Sequence, residues 1–473
     1  MLFPTIDFAI FFAIVFLGHW LLNPRPRAWK AFMVGASYVF YGWWNWHFVF
    51  LLAASTVIAQ MGARSIARTQ SDVARRWLVA GTLTGVLGLL VWFKYYGFFS
   101  LNLDNALHAL GVGPQLPLIQ VALPIGVSFF TFMAISYVVD VYRGELQAAS
   151  WLDFAVYLSF FPHLVAGPIV RGGELLPQIR KRRHPRRIDY SRAGYLIFGG
   201  LFKKVVVSSF LASAIVDPVF GTPGQHTSLE ILIAVYAYAV QIYADFSGYT
   251  DIAIGVALLL GFKFPENFNA PYAARSIQDF WRRWHMTLSR WLRDYLYIPL
   301  GGSHGKRWKT YRNIMITMVL GGLWHGAAWT FVVWGAFHGT CLGAGRLRSN
   351  RRSERGLGQD DRPTAVLIQR VVTFHLVCLG WVFFRADSVS TAFLLLGRLF
   401  TASGPAPLVT PILIAAMAGM LAAQFLPRDL SPTLMDRFSH MGPVLQGGLL
   451  AGGLFVITAL GPQGVAPFIY FRF

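Results

Sequence analysis

Two histidines and one acidic cluster lie where few polar groups belong. His325 sits in GGLWHGAAW, in the middle of an apolar run over residues 313–343, and His285 sits in QDFWRRWHMTLSRWLRDY. A third element, QIYADFSGYTDIAIG over residues 241–255, puts Gln241, Asp245, Ser247, Tyr249 and Asp251 into a stretch otherwise apolar enough to span a bilayer. Ionisable groups inside a membrane must find partners at real cost, so each is a candidate for moving protons or lining a substrate path. Gly322 and Gly326, four apart, share a helical face that lets a backbone or a thin substrate approach closely. His325 and Trp329 are also four apart, which sets a flat apolar wall beside the imidazole. A helical reading of the second segment puts Trp281, His285 and Ser289 on one face, with Arg282 one position further round.

Each of these features also has a structural reading. His325 can hydrogen-bond between packed helices, His285 can be incidental to an interfacial amphipathic helix, and Asp245 can pair with a nearby arginine. Spacing alone does not bring two histidines 40 residues apart together. For His19, His47, His163, His338 and His375, in or near apolar runs, the structural reading is preferred. No zinc-helix pattern, phosphate-loop signature or nucleophile elbow occurs, so metal and serine-type hydrolysis are unsupported. Cys341 and Cys378 are the only cysteines, and both lie in apolar stretches, which gives neither a disulfide framework nor a cysteine metal site.

The elements that must position these residues belong to a membrane. Of the 473 residues, 55% are apolar and 13% are charged, about half the charged content of a soluble domain. Lys plus Arg number 41 against 21 Asp plus Glu, a net charge of +20. The basic residues are bunched in short segments between apolar runs, as cytoplasmic loops are, and no compact basic domain exists to bind nucleic acid. The first apolar run lacks a basic leader and a small-residue cleavage site, so it reads as a retained span.

About 20 apolar residues cross a bilayer. Eleven candidate spans follow: 3–22, 31–61 (long enough for a hairpin turning near Gly42 to Asn45), 77–99, 118–141, 193–216, 229–260, 313–343, 364–385, 389–402, 408–426 and 445–461. Basic blocks at 25–30, 64–76, 171–192 and 346–362 are placed in the cytoplasm, and the Lys/Arg-free stretches 100–121 and 217–228 outside, together with the N-terminus. Two stretches do not fit as plain spans. Residues 151–170, interrupted by Pro162, Gly167 and Pro168, read as a re-entrant or interfacial element. Residues 264–312 carry Arg275, Arg282, Arg283, Arg290 and Arg293, each costing at least about 2.5 to 3.5 kcal/mol at the bilayer centre. That segment must line an enclosed or watery cavity, or lie at the interface. The expected fold is all-α, a single multi-span unit over 1–473 with re-entrant helices around a central cavity.

These elements resemble the membrane-bound O-acyltransferase family, in its bacterial branch of alginate O-acetylation and teichoic-acid D-alanylation. The matching text is YLSFFPHLVAGPIVR (157–171), QIYADFSGYTDIAIG, PENFNAPYAARSIQDFWRRWHMTLSRWLRDYLYIPLGGS, GGLWHGAAWTFVVWGAFHG and the terminal FIYFRF, and the core it covers is about 95–385. The resemblance implies transfer of an acyl group from a cytoplasmic thioester, through the membrane, to an acceptor on the outer side. It makes His325 the general base on the acceptor hydroxyl, a role typically worth about 10² to 10⁴ in rate. His285 would orient a substrate or donate to the developing oxyanion. Trp324, Gln241, Asp245, Ser247, Tyr249, Asn267, Asp279, Trp281, Arg282 and Ser289 would line the cavity.

Within the branch the text WHMTLSRWLRDYLYIPLGGS is closer to polysaccharide acetylation. The implied donor is acetyl-CoA, with no bound cofactor or metal. The implied partners are membrane lipids, a periplasmic acetyltransferase and exopolysaccharide machinery at a bacterial cytoplasmic membrane. Basic residues between Arg275 and Arg312 would hold the donor phosphates, although positive-inside topology explains them equally well. Two alternatives stand beside this reading. One is D-alanyl transfer from a carrier protein toward teichoic acid. The other is a non-catalytic transporter, weakened by the lack of matching halves.

Overall fold

Backbone amides in hydrocarbon must be satisfied within their own segment, which selects helices for a chain this apolar. A computed structural model describes residues 1–111, 124–358, 360–427 and 430–461. Among them every regular element is a helix. The start of the expected span 118–141 and the terminal FIYFRF lie outside the described residues.

The helices group into two compact units. The first comprises Met1–Tyr190 with Val256–Pro265 and holds α1 (Ile6–Leu22), α2 (Pro26–Gly42), α3 (Phe48–Arg68), α4 (Asp72–Ala109), α5 (Val127–Arg143), α6 (Trp151–Ser159), α7 (Phe161–Leu164) and α8 (Gly172–Arg180). The run 31–61 is the expected hairpin, α2 turning into α3. Gln60 of α3 donates to Ala149 O at 2.7 Å and accepts from the Tyr137 hydroxyl of α5 at 2.8 Å, so that polar groups in this interior satisfy one another. Residues 151–170 form the nine-residue α6 and the four-residue α7. At about 1.5 Å per residue neither is long enough to cross a membrane.

The second unit, Ser191–Gly255 with Glu266–Phe473, holds α9 (Tyr190–Gly221), most of α10 (Ser228–Leu259), α11 (Ile277–Trp281), α12 (Met286–Leu292), α13 (Arg307–His325), α14 (Trp329–Glu354), α15 (Pro363–Arg385), α16 (Val389–Thr401), α17 (Pro411–Phe425), α18 (Leu430–Ser439) and α19 (Pro443–Leu460). α9 and α10 touch backbone to backbone where Gly200 meets Gly248: a Cβ on either would fall 2.6 to 2.7 Å from the other's carbonyl oxygen. Close crossing at small residues is how helices associate where lipid removes the hydrophobic drive. A π-helical stretch, Phe202–Ser208, follows that crossing in α9. It carries two successive lysines that both pair with α10, Lys203 with Asp251 at 2.5 Å and Lys204 with Asp245.

One expectation changes. The apolar run 313–343 is two antiparallel helices rather than one span, because the chain turns at Gly326–Ala328 between α13 and α14. Glycine permits that return: a Cβ at Gly322 would lie 2.2 Å from Phe331 O, and one at Gly335 would lie 2.4 Å from Met318 O. Among the described residues five helices, α3, α4, α9, α10 and α15, are long and apolar enough to cross a membrane, while α1, α16, α17 and α19 are shorter apolar helices.

Candidate active site

Ser276 starts α11 by accepting from the amide of Asp279 at 3.1 Å, and the Asp279 carboxylate accepts from the amide of Arg275 at 3.1 Å. This reciprocal cap satisfies amides that a five-residue helix leaves open. The helix stops at Trp281 rather than continuing through His285. His285 itself has φ 41°, the left-handed region that costs a residue with a Cβ about 1 to 2 kcal/mol. The single helical face expected for Trp281, His285 and Ser289 is therefore broken, and the Ser289 hydroxyl caps Trp284 O at 3.3 Å instead.

Asn267 holds the strained turn. Its carbonyl accepts the Met286 amide at 3.0 Å, and its side-chain oxygen accepts from the Thr287 amide at 3.1 Å and the Thr287 hydroxyl at 2.9 Å. The same oxygen lies 3.2 Å from Nδ1 of His285. Because Oδ1 is an acceptor, Nδ1 carries the proton of a neutral ring and Nε2 carries the lone pair, an assignment inferred from the network. The His285 ring is fully buried, edge-on to Phe246 of α10 at 4.6 Å.

His325 is the last residue of α13, at the tip of the hairpin, and is 4% exposed. Its walls are Trp324, Trp334 of α14 and Phe384 of α15, with ring centroids 5.0, 5.1 and 5.2 Å away, all close to perpendicular. Trp329, expected as a further wall, opens α14 and is exposed. Trp324 also lies 6.0 Å from the His285 ring. One indole thus serves both imidazoles.

The remaining sequence candidates divide. Trp281 lies beyond Trp334, 5.7 Å from it and 5.3 Å from His338. Asp245 sits in a buried pair with Lys204 and also accepts from Ser208 Oγ at 3.0 Å. Its partner in that pair is a lysine of α9. Gln241, Ser247 and Tyr249 are buried along α10. Asp279 and Arg282 line a separate cavity of about 1800 Å³. That cavity is strongly basic: Arg275, Arg282, Arg283, Arg348, Arg352, Arg362 and Arg370 line it against Asp279 and Asp360. Hydrogen bonds from Arg362 hold the Asp360 carboxyl down at about 2, so it stays charged at any physiological pH and loses this interaction only as pH falls through that value. Phe246, Trp334 and Phe384 escaped sequence reasoning as site residues, being ordinary members of apolar runs, and His338 was read there as structural.

Residues 120–385 match the membrane-bound O-acyltransferase (MBOAT) family. The chain belongs to it. A protein named as a probable alginate O-acetylase, from Azotobacter vinelandii, is 43% identical over 85% of this chain and 78% of its own length. A peptidoglycan O-acetyltransferase of Helicobacter pylori is 36% identical over 82% and 77%. A teichoic acid D-alanyltransferase of Bacillus subtilis is 30% identical over 55% and 68%. The chain is accordingly an MBOAT acyltransferase of a membrane.

Proposed function

We propose that the protein transfers an acetyl group from acetyl-CoA, taken on the cytoplasmic side of a bacterial inner membrane, to a hydroxyl acceptor serving an exported polysaccharide. A periplasmic acetyltransferase would pass the group on to the polymer. The observation that carries this reading is the Trp324 wall common to His285 and His325. Acyl transfer needs a base and a second polar group beside one reacting carbonyl, and both imidazoles are buried among rings that exclude water.

In the reaction His325 takes the proton of the acceptor hydroxyl while its oxygen attacks the thioester carbonyl. The tetrahedral intermediate collapses, the C–S bond breaks, and the departing thiolate receives that proton. His285, with Nδ1–H committed to Asn267, presents Nε2 as an acceptor, which favours orienting the attacking hydroxyl over donating to the oxyanion. The basic cavity supports the choice of donor, since arginine is the preferred partner for phosphate.

The test is His325→Ala in cells carrying the native polymer machinery. Polymer acetylation is expected to be lost at normal protein level. Normal acetylation would remove His325 from the chemistry.

A further inference from the structure

Arg183, in the loop after α8 of the first unit, is half-buried on two aromatic rings. Its guanidinium carbon lies 4.2 Å from the ring centroid of Trp29 and 3.8 Å from that of Phe262. Cation–π contact holds the charge in place without neutralising it. One terminal nitrogen donates to Gln178 O at 2.9 Å, Nε is buried without a partner, and no carboxylate pairs with the group among the described residues. Burial lowers its pKa to about 9, with no acidic neighbour to oppose the shift. A cation taken this far out of water is costly unless an anion meets it.

Several elements fix the guanidinium where it stands. His19 of α1 is fully buried, and its Nδ1 accepts from Nε1 of Trp29 at 2.9 Å, which locks the indole on which the charge rests. Asn23 Nδ2 donates to Arg183 O at 2.9 Å and so ties the α1–α2 turn to the loop after α8. Gly261, at φ 77°, lets the stem of Arg183 pass close by, since a Cβ there would lie 3.0 Å from its Cδ.

The surroundings state the chemistry of the missing anion. The two tied segments carry Arg25, Arg27, Lys181, Arg182, Arg186 and Arg187, all exposed and none paired with a carboxylate among the described residues. Lys30 and Arg180, by contrast, are both engaged by Asp153. Clustered Lys and Arg beside a membrane helix attract anionic headgroups. From the same turn α1 carries a half-exposed aromatic stripe, Trp20, Phe16 and Phe12, with successive rings 6.3 and 6.0 Å apart and Trp20 4.7 Å from the His19 ring. The stripe rises about 12 Å, most of one leaflet of a hydrocarbon core about 30 Å thick. A soluble anion would use the cations and leave the stripe idle. A lipid uses both.

We propose that Arg183, held on Trp29 and Phe262 and flanked by these exposed cations, binds the phosphate of an anionic phospholipid whose acyl chain lies along Phe12, Phe16 and Trp20. The planar donor fork of arginine matches phosphate geometry. The site lies wholly in the first unit and does not depend on the acyl-transfer reading.

Equilibrium binding of fluorescent phosphatidylglycerol to the purified full-length protein in uncharged detergent micelles tests it, with phosphatidylcholine as the control lipid and inorganic phosphate as the soluble anion. Wild type is expected to prefer phosphatidylglycerol about tenfold, the worth of one charge-assisted hydrogen bond, and to keep it when inorganic phosphate is added at equal concentration. Arg183→Gln is expected to lose that preference with phosphatidylcholine binding unchanged, whereas Arg68→Gln, an exposed cation of the same unit, is expected to retain it. Asn23→Ala loosens the loop without touching the guanidinium; it is expected to weaken phosphatidylglycerol alone several-fold and carries the test if Arg183→Gln does not fold. Wild type without a preference overturns the inference, as does a preference kept in Arg183→Gln or, where that variant carries the test, in Asn23→Ala. An equal loss in Arg68→Gln overturns it too, because the attraction is then one of general charge. Displacement of the lipid by inorganic phosphate assigns Arg183 to a soluble anion and overturns the lipid.

Discussion

At the scale of single residues, the site is built on Asn267 as much as on either histidine. One amide oxygen fixes the tautomer of His285 and, through Thr287, the turn on which that ring stands. A residue in the left-handed region persists only where its surroundings over-determine it, and such positions cluster at functional sites. Asn267→Ala is expected to lower acyl transfer by about tenfold or more, because the freed ring loses its orienting bond. Asn267→Asp, which keeps an acceptor at Oδ1, is expected to retain more of it. Single-turnover rates of the purified variants check both, and equal rates for Asn267→Ala and wild type would remove the orienting role. His325 was visible in the sequence as a polar residue in apolar text and His285 as a histidine in an aromatic, arginine-bearing segment, whereas Asn267 came only from the family resemblance. Their companions Trp334 and Phe384 were not visible, because an aromatic residue in an apolar run looks the same whether it faces lipid or an imidazole.

Among the elements, the α9–α10 pair shows how a charge can be structural. Lys204 and Asp245 are both nearly fully buried, and removing one partner of such a pair commonly costs about 3 to 5 kcal/mol because the other charge is left uncompensated. Lys204→Met is expected to destabilise the protein by that amount, and Lys204→Met with Asp245→Leu is expected to recover most of the loss. Thermal unfolding in detergent distinguishes this from a catalytic Asp245, for which the double variant would be stable and inactive.

The same scale explains what hydropathy could and could not say. The α2–α3 hairpin was legible because its apolar run was too long for one span. The α13–α14 turn was not, because Gly326, Ala327 and Ala328 interrupt the helix without interrupting the apolar text. Likewise, the break between Trp281 and His285 depends on long-range bonds from Asn267 and Asn269 to the 283–287 turn, which local spacing does not record.

For the whole molecule, the excess of positive charge has two expressions. Much of it follows the loops, as positive-inside topology requires, but seven arginines converge on one cavity of the second unit. Exchanging Arg348 and Arg352 together for Glu is expected to raise KM for acetyl-CoA several-fold with kcat preserved, and added salt is expected to mimic the change in wild type. Steady-state kinetics at two ionic strengths check this. An unchanged KM would assign those arginines to membrane topology alone.

Five residues of α11 stand between two environments. Gln278 and Asp279 face the arginine-lined cavity, whereas Phe280 and Trp281 pack against His338, Trp334 and Trp381. So short a helix acts as a bulkhead, and its tightness decides whether a bound thioester waits for its acceptor or is wasted on solvent. Phe280→Ala is therefore expected to uncouple the enzyme, with CoA release in the absence of acceptor rising relative to productive transfer. The ratio of the two rates measures how well one turn and a half of helix keeps an energy-rich bond dry.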